Sequence, residues 1–365
     1  MAVNISKKLI CEGINMDMTD VPINGFLIKR HYKMLKNKQV RCVLCSNNCV
    51  IVDGRQGLCH ARMNIDGKLY SIVYGYPYGL HVDPIEKKPL YHFLPGQKIL
   101  SFGTFGCNLF CKGCQNFDMT RADALMSIRG MRYYSPDEIV DMALKNNIRM
   151  IAYTYNEPTI FFEYMMDIAK VAKAKGIKNI IVSNGYINPA PLKELCKYID
   201  AANIDIKGIT EEFYSGYTST KLAPVLKTIK TLHKNKVWLE LTNLVIPGLN
   251  DSVADIRKLC KWVRTNVGKD VPLHFSRFYP YYQASNIPPT SSATLVKARE
   301  IARDEGINYV YVGNLGELDN TYCSKCNSLL IERETFHPEI RGIELKKGKR
   351  PACLKCGIKV PGIFI

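Results

Sequence analysis

The sequence predicts an α/β fold: a complete or partial (β/α) barrel of the TIM type, with a cysteine-rich extension at each end. Three observations predict it. Short β-branched runs alternate with helical stretches through the middle of the chain, the pattern of strands joined by crossover helices around a parallel sheet. No glycine-rich dinucleotide fingerprint follows the first of those runs, which argues against a doubly wound sheet. Eleven of the 14 cysteines fall into three short-spaced groups, at 42–59, 107–114 and 323–356.

The elements follow in order. Residues 25–39 are basic and are expected to form an N-terminal packing helix, with a membrane or nucleic-acid role as the other option. The expected strands are 98–106, 149–156, 178–185, 201–208, 237–248, 272–280 and 308–314. Between the first two, Ser135 as N-cap, Pro136 at the first helical position and acidic residues in the first turn start a helix, and Ile139, Val140, Ala143 and Leu144 give it an apolar face. Helical stretches also end at Gly176 and Gly268, as helices that stop on a glycine do. Cys196 and Cys260 ride on such helices as core or half-buried residues, and Cys11 stands apart. The chain therefore divides into an extension with a four-cysteine metal or cluster module over 1–95, a barrel over 96–318 and a C-terminal module over 319–365.

Composition sets limits. With 365 residues, 47% of them hydrophobic, the chain is neither disordered nor a small disulfide protein. The first residues contain no apolar signal core, so a reducing cytoplasm is expected, where grouped cysteines more often bind metals or clusters than pair with each other. No run of about 18 apolar residues occurs, so a spanning helix is not expected. The formal charge of +17 suits a solvated surface or partners bearing phosphate or carboxylate, and leaves peripheral contact with anionic lipid open.

The central cysteines, Cys107, Cys111 and Cys114, have the spacing C-x3-C-x2-C in a loop straight after an apolar strand. Three thiolates satisfy three irons of a [4Fe–4S] cube and leave one iron open, and an open metal position is where catalysis happens. Zinc would need a fourth ligand, and His81 and His92 lie on the other side of a strand. Polar residues gather at or beyond the expected strand ends, at Asn156, Glu157, Ser183, Asn184, Asp205, Lys207 and His274, the barrel face that carries chemistry.

The triplet resembles the hallmark of the radical SAM superfamily, in which the open iron chelates S-adenosylmethionine (SAM) and one electron cleaves it to a 5′-deoxyadenosyl radical. The residue before the last cysteine is usually aromatic there and is Gly113 here, a position that by the resemblance contacts adenine through its backbone. Residues 155–158 (YNEP) resemble a Gly-Gly-Glu-Pro segment, which implies that Glu157 accepts from the methionine amino group, with Asn156 beside it. Residues 182–185 resemble a Thr-Asn-Gly strand end and 205–207 an Asp-Leu-Lys segment, implying cofactor contacts for Ser183 and Asn184, the methionine carboxylate on Lys207, and an orienting role for Asp205. Residues 245–251 resemble a turn beside adenine, and His274 a ribose-contacting histidine. More narrowly, residues 42–62, 86–96 and 321–332 resemble the AmmeMemoRadiSam-system radical SAM enzymes, relatives of pyruvate formate-lyase activating enzymes.

The flanking groups extend the metal chemistry. Cys42, Cys45, Cys49 and Cys59 supply four thiolates within 18 residues, enough for a zinc tetrahedron or a second iron–sulfur cube, and the spacing does not separate the two. Cys323, Cys326, Cys353 and Cys356 form two CxxC knuckles of zinc-ribbon or rubredoxin type, with Lys346, Lys347, Lys349 and Arg350 between them. Arg277, Tyr279, Tyr281, Tyr282, Lys87, Lys88, Tyr91 and His92 are candidates to line the mouth. The expected activity is reductive SAM cleavage and hydrogen abstraction from an unactivated C–H bond of an unidentified, anionic or lipid substrate, fed by a donor such as ferredoxin or flavodoxin, with both cysteine-rich ends covering the barrel mouth. The alternatives are an activating enzyme that installs a glycyl radical on a partner protein, and a nucleic-acid-binding or RNA-modifying zinc protein.

Overall fold

A computed structural model describes residues 9–11, 14–16, 26–315, 319–334, 336–346 and 348–365. The Cys11 and Lys347 side chains and the 318/319 boundary lie outside this description. The centre is an eight-stranded sheet, β1 (Tyr78–Pro84), β2 (Lys98–Gly103), β3 (Met150–Tyr153), β4 (Lys178–Ser183), β5 (Ala201–Asp205), β6 (Trp238–Val245), β7 (Leu273–Arg277) and β8 (Val310–Gly313), in sequential order. Strands β2 to β8 are parallel and β1 pairs antiparallel with β2. The described edges β1 and β8 do not pair with each other, so the barrel is partial and open.

All seven expected strands are present but shorter, mainly because their C-terminal residues leave the ladder for the loops that follow. The added edge, β1, has few β-branched residues and mixed burial, so it carries little periodic signal. Among the described residues, six helices of seven or more residues cover the sheet: α1 (Pro136–Lys145), α2 (Phe162–Ala174), α3 (Pro189–Leu195), α4 (Leu222–Lys234), α5 (Val253–Asn266) and α6 (Ser292–Asp304). At the start of α1 the Ser135 hydroxyl accepts from the Glu138 amide and Glu138 accepts from the Ser135 amide, a full capping box. Cys260 is buried on α5, and Cys196 follows α3 half-buried. Among the described residues no helix is long and apolar enough to cross a membrane.

Two corrections concern the ends. Residues 26–39 are not helical: Phe26–Leu27 and Tyr32–Met34 are strands, the second paired with Val40–Cys42. His31, Asn37 and Lys38 have φ of 61°, 54° and 56°, which a continuous right-handed helix does not accommodate. The two cysteine-rich ends also do not share the mouth. The N-terminal module lies against it: the Asn188 amide, beyond β4, donates to the Val43 and Cys45 carbonyls. The C-terminal ribbon closes the opposite end. The chain reverses along β8, with the Tyr311 and Thr321 hydroxyls 2.8 Å apart, and Ile363 and Pro361 bond to His92 at the barrel floor.

That floor is a buried polar network. Glu240 accepts from the Tyr91 and His92 amides and lies 2.7 Å from His274 Nε2, while His92 contacts Tyr311 through Nε2 and the Pro361 carbonyl through Nδ1. Burial pushes His92 down to about 4. Glu86 nearby is buried, with one oxygen accepting from the Gly96 amide and the other unpartnered, and burial pushes its pKa up to about 7. The folded state therefore holds this proton between pH 4.5 and about 7, and the stability it contributes is full below that window and lost as pH rises through it. Glu86→Gln is expected to be more stable than wild type at pH 8 by about 3 kcal/mol, unfolding at a higher temperature, and to lose most of the advantage near pH 5; thermal denaturation at the two pH values measures this.

Candidate functional site

The cysteine triplet sits in the loop that leaves β2 at the C-terminal end of the sheet, and the loop is held against its surroundings by backbone. A Cβ on Gly106, whose φ is +95°, would lie 2.1 Å from the Cys59 carbonyl oxygen, and one on Gly103 would lie 2.6 Å from the Thr154 carbonyl oxygen. The Phe110 and Lys112 amides donate to the Thr218 and Tyr217 carbonyls, and Arg121 donates to the Leu109 carbonyl. Asn156 spans the turn, accepting from the Thr104 amide and donating to the Gly106 carbonyl. Asn108 accepts from Asn184 and donates to the Tyr186 carbonyl, which ties this loop to the one after β4.

The three thiols open on one cavity of about 240 Å³. Its walls also carry Gly113, Asn156, Asn184, Asp205 and Lys207. Lys207 Nζ lies 3.0 Å from Asp205 Oδ2, and Asn184 Nδ2 lies 4.0 Å from Cys107 Sγ. Burial pushes Cys111 up to about 11 against the pull of Lys207, and it raises Cys107 further. Burial opposes the Lys207 charge as well, but Asp205 and Cys111 outweigh it and hold the ammonium above its ordinary value. Thiols in this state ionise when a metal centre takes them as ligands. Three thiols with an ion pair and two amides around one cavity fit a three-cysteine cluster and a zwitterionic small molecule beside it.

Residues 102–263 match the radical SAM superfamily. An uncharacterised protein of Methanocaldococcus jannaschii is 41% identical over 333 residues, 90% of this chain and 97% of that protein. The chain belongs to the radical SAM superfamily. More distant relatives have activating-enzyme names. The 4-hydroxyphenylacetate decarboxylase activating enzyme of Clostridium scatologenes is 27% identical over 168 residues, 43% of this chain and 53% of that protein. The pyruvate formate-lyase-activating enzyme of Clostridium pasteurianum is 25% identical over 168 residues, 44% of this chain and 66% of that one. The match thus spans about half to two thirds of these activating enzymes. Radical SAM enzymes use a [4Fe–4S] cluster and SAM.

Three expected cofactor residues do not line this cavity. Glu157 is fully buried and spends both oxygens on protein donors: the Thr159 amide and hydroxyl, the Ser183 hydroxyl at 2.8 Å and the Asn184 amide at 2.8 Å. Ser183 points inward to the same carboxylate. The pair positions Asn184, which does line the cavity. His274 is the second residue of β7 rather than a residue beyond its end, and it faces Glu240 in the floor. Tyr91 and His92, expected at the mouth, are in that floor too, whereas Lys88 joins Asp83 and Tyr155 beside the mouth, with Lys88 Nζ and Tyr155 Oη 2.7 and 2.9 Å from Asp83 Oδ2.

Two further tyrosines line the cavity: Tyr155 lies in the YNEP segment, where the compared motif has glycine, and Tyr217 belongs to no motif. Tyr155 reaches the cavity at φ of 67°, and Tyr217 projects from the irregular turn Tyr214–Thr218. Tyr217 explains Gly113: a Cβ there would lie 2.4 Å from Tyr217 Oη and 2.8 Å from Phe278 Cε2, so those two rings already fill the volume of a side chain at 113. Asn250, in the turn after β6, donates to the Lys207 and Leu244 carbonyls and fixes the backbone of Lys207.

The C-terminal cysteines have a different geometry. Their four sulfurs lie within 4.8 Å of one another, with Cys323–Cys356 at 3.6 Å and Cys326–Cys353 at 3.7 Å. A tetrahedral ion with bonds of about 2.3 Å sets sulfurs about 3.8 Å apart, so this group fits a single metal ion.

The packing around Gly113 yields a direct test. Gly113→Phe is expected to reduce SAM cleavage on the order of 10²-fold by displacing the loop, and Tyr217→Ala in the same chain to restore part of it. Product formation by chromatography, normalised to iron content, measures both.

Proposed function

We propose that the protein cleaves SAM reductively and directs the resulting radical at an unactivated C–H bond of its substrate. The observation that supports this reading most is the convergence of Cys107, Cys111 and Cys114 with Asn156, Asn184, Asp205 and Lys207 on one cavity. In this reading the three thiolates hold three irons of a [4Fe–4S] cluster and leave the fourth open. When bound, the cluster supplies the electron that splits SAM into methionine and a 5′-deoxyadenosyl radical.

The residues of the chain do the rest. Lys207 is placed to hold a carboxylate, and Asp205, which shares its charge, to accept from an ammonium or hydroxyl. Asn184 presents an amide to the same space, braced from behind by Glu157. Leu244, Ile246 and Tyr217 wall the cavity and limit water near a reactive radical. A one-electron donor of the ferredoxin or flavodoxin class supplies the reducing equivalent.

A second reading, installation of a glycyl radical on a partner protein, is favoured by the activating-enzyme names of the relatives. Anaerobic protein with filled cluster, dithionite and SAM is expected to release 5′-deoxyadenosine and methionine, and Cys111→Ala to release neither. A filled cluster that yields no product would overturn the proposal. A glycyl doublet in the EPR spectrum of a co-purifying protein would decide for the second reading, and deoxyadenosine formation without one supports the first.

A further inference from the structure

The N-terminal cysteines Cys42, Cys45, Cys49 and Cys59 converge on a second, smaller cavity of about 20 Å³. Arg62 is part of its wall. That arginine is 2% exposed; its Nη2 lies 2.5 Å from Glu163 Oε2 and its Nε donates to the Ile160 carbonyl at 3.3 Å, but its Nη1 is buried with no hydrogen-bond partner. A buried guanidinium nitrogen without an acceptor is costly, and it is found where an anionic acceptor belongs.

Sulfur spacing separates the candidate metals. Among the described residues, the one group of three or more His, Cys, Asp or Glu whose ligand atoms all lie within 4.8 Å of one another is the C-terminal four. The N-terminal four do not meet that limit, and neither does the central triplet, although each set surrounds one cavity. A zinc ion with bonds of about 2.3 Å draws its thiolates inside such a limit. A cube of irons and sulfides sits between its ligands and keeps them further apart. The N-terminal four and the central triplet are thus both set wider than the ribbon.

We propose that Cys42, Cys45, Cys49 and Cys59 hold a second [4Fe–4S] cluster with every iron ligated by protein, and that Arg62 Nη1 donates a hydrogen bond to it. The two sites share a wall. The Cys59 carbonyl packs on Gly106 and the Asn47 amide donates to the Asn108 carbonyl at 2.9 Å, so the N-terminal site touches the residues on both sides of Cys107.

The test uses the full chain produced anaerobically. The variant Cys107→Ala/Cys111→Ala/Cys114→Ala is expected to keep about half the wild-type iron, with the Mössbauer doublet of a [4Fe–4S] cube and a reduced EPR signal that SAM does not alter, alongside about one zinc in the ribbon. In wild type, SAM is expected to change one part of the reduced EPR signal and leave the other. Arg62→Met is expected to keep the iron and shift the SAM-insensitive cluster to lower potential. Loss of all iron in the triple variant with about two zinc per chain, or a wild-type signal that responds to SAM as a whole, overturns the second cluster; an unchanged potential in Arg62→Met overturns the hydrogen bond. SAM cleavage reads the central site alone, so failure of the proposed reaction and failure of the second cluster are distinguishable.

Discussion

The mouth of this barrel depends on how closely the cysteine loop approaches other backbone. At Gly103 and Gly106 the loop meets the Thr154 and Cys59 carbonyls at distances that admit no Cβ, and at Gly113 it meets two aromatic rings. Packed interiors transmit such contacts rather than absorb them. The loop cannot move outward without breaking its bonds to Thr218, Tyr217, Asn156 and Asn184, nor inward without overlap. The thiols therefore have a fixed relation to Asp205 and Lys207, which come from a different strand end.

Around that fixed loop the polar residues divide into two layers. Asn156, Asn184, Asp205 and Lys207 face the cavity, and Glu157, Ser183 and Asn250 stand behind them. A carboxylate that accepts four hydrogen bonds in a dry wall is a rigid support for its neighbours. Deeper still, Glu240, His274, His92 and Tyr311 close the floor, and the C-terminal ribbon seals it from below. The ribbon is therefore remote from the chemistry, while the N-terminal module adjoins it. Two cysteine groups that look equivalent in sequence have unequal positions in the fold.

Much of this was legible in the sequence. The seven parallel strands, the capped helix at Ser135 and the triplet after the first barrel strand all follow from local patterns whose physical causes are local. What was not legible depended on distant contacts. Glu157 and His274 look like cavity residues because polar groups near strand ends usually are, but whether such a side chain points to the cavity or into the wall is decided by partners such as Ser183 and Glu240. Gly113 stands where an aromatic residue is usual, and only the fold shows Tyr217 and Phe278 in the volume a side chain there would take. The basic segment at 25–39 reads as helix from composition, whereas the course of its described part is determined by pairing with Val40–Cys42 and by left-handed residues at 31, 37 and 38.

In the proposed reaction one cavity brings a cysteine-held cluster together with the amino-acid end of SAM. Anomalous diffraction at the iron edge, from anaerobic crystals grown with SAM, tests it most directly. Iron density is expected on Cys107, Cys111 and Cys114, with the methionine carboxylate on Lys207 and the Asn184 amide within hydrogen-bond reach. Iron density absent from those three sulfurs in protein that contains iron, or SAM bound away from Lys207 and Asn184, would contradict it.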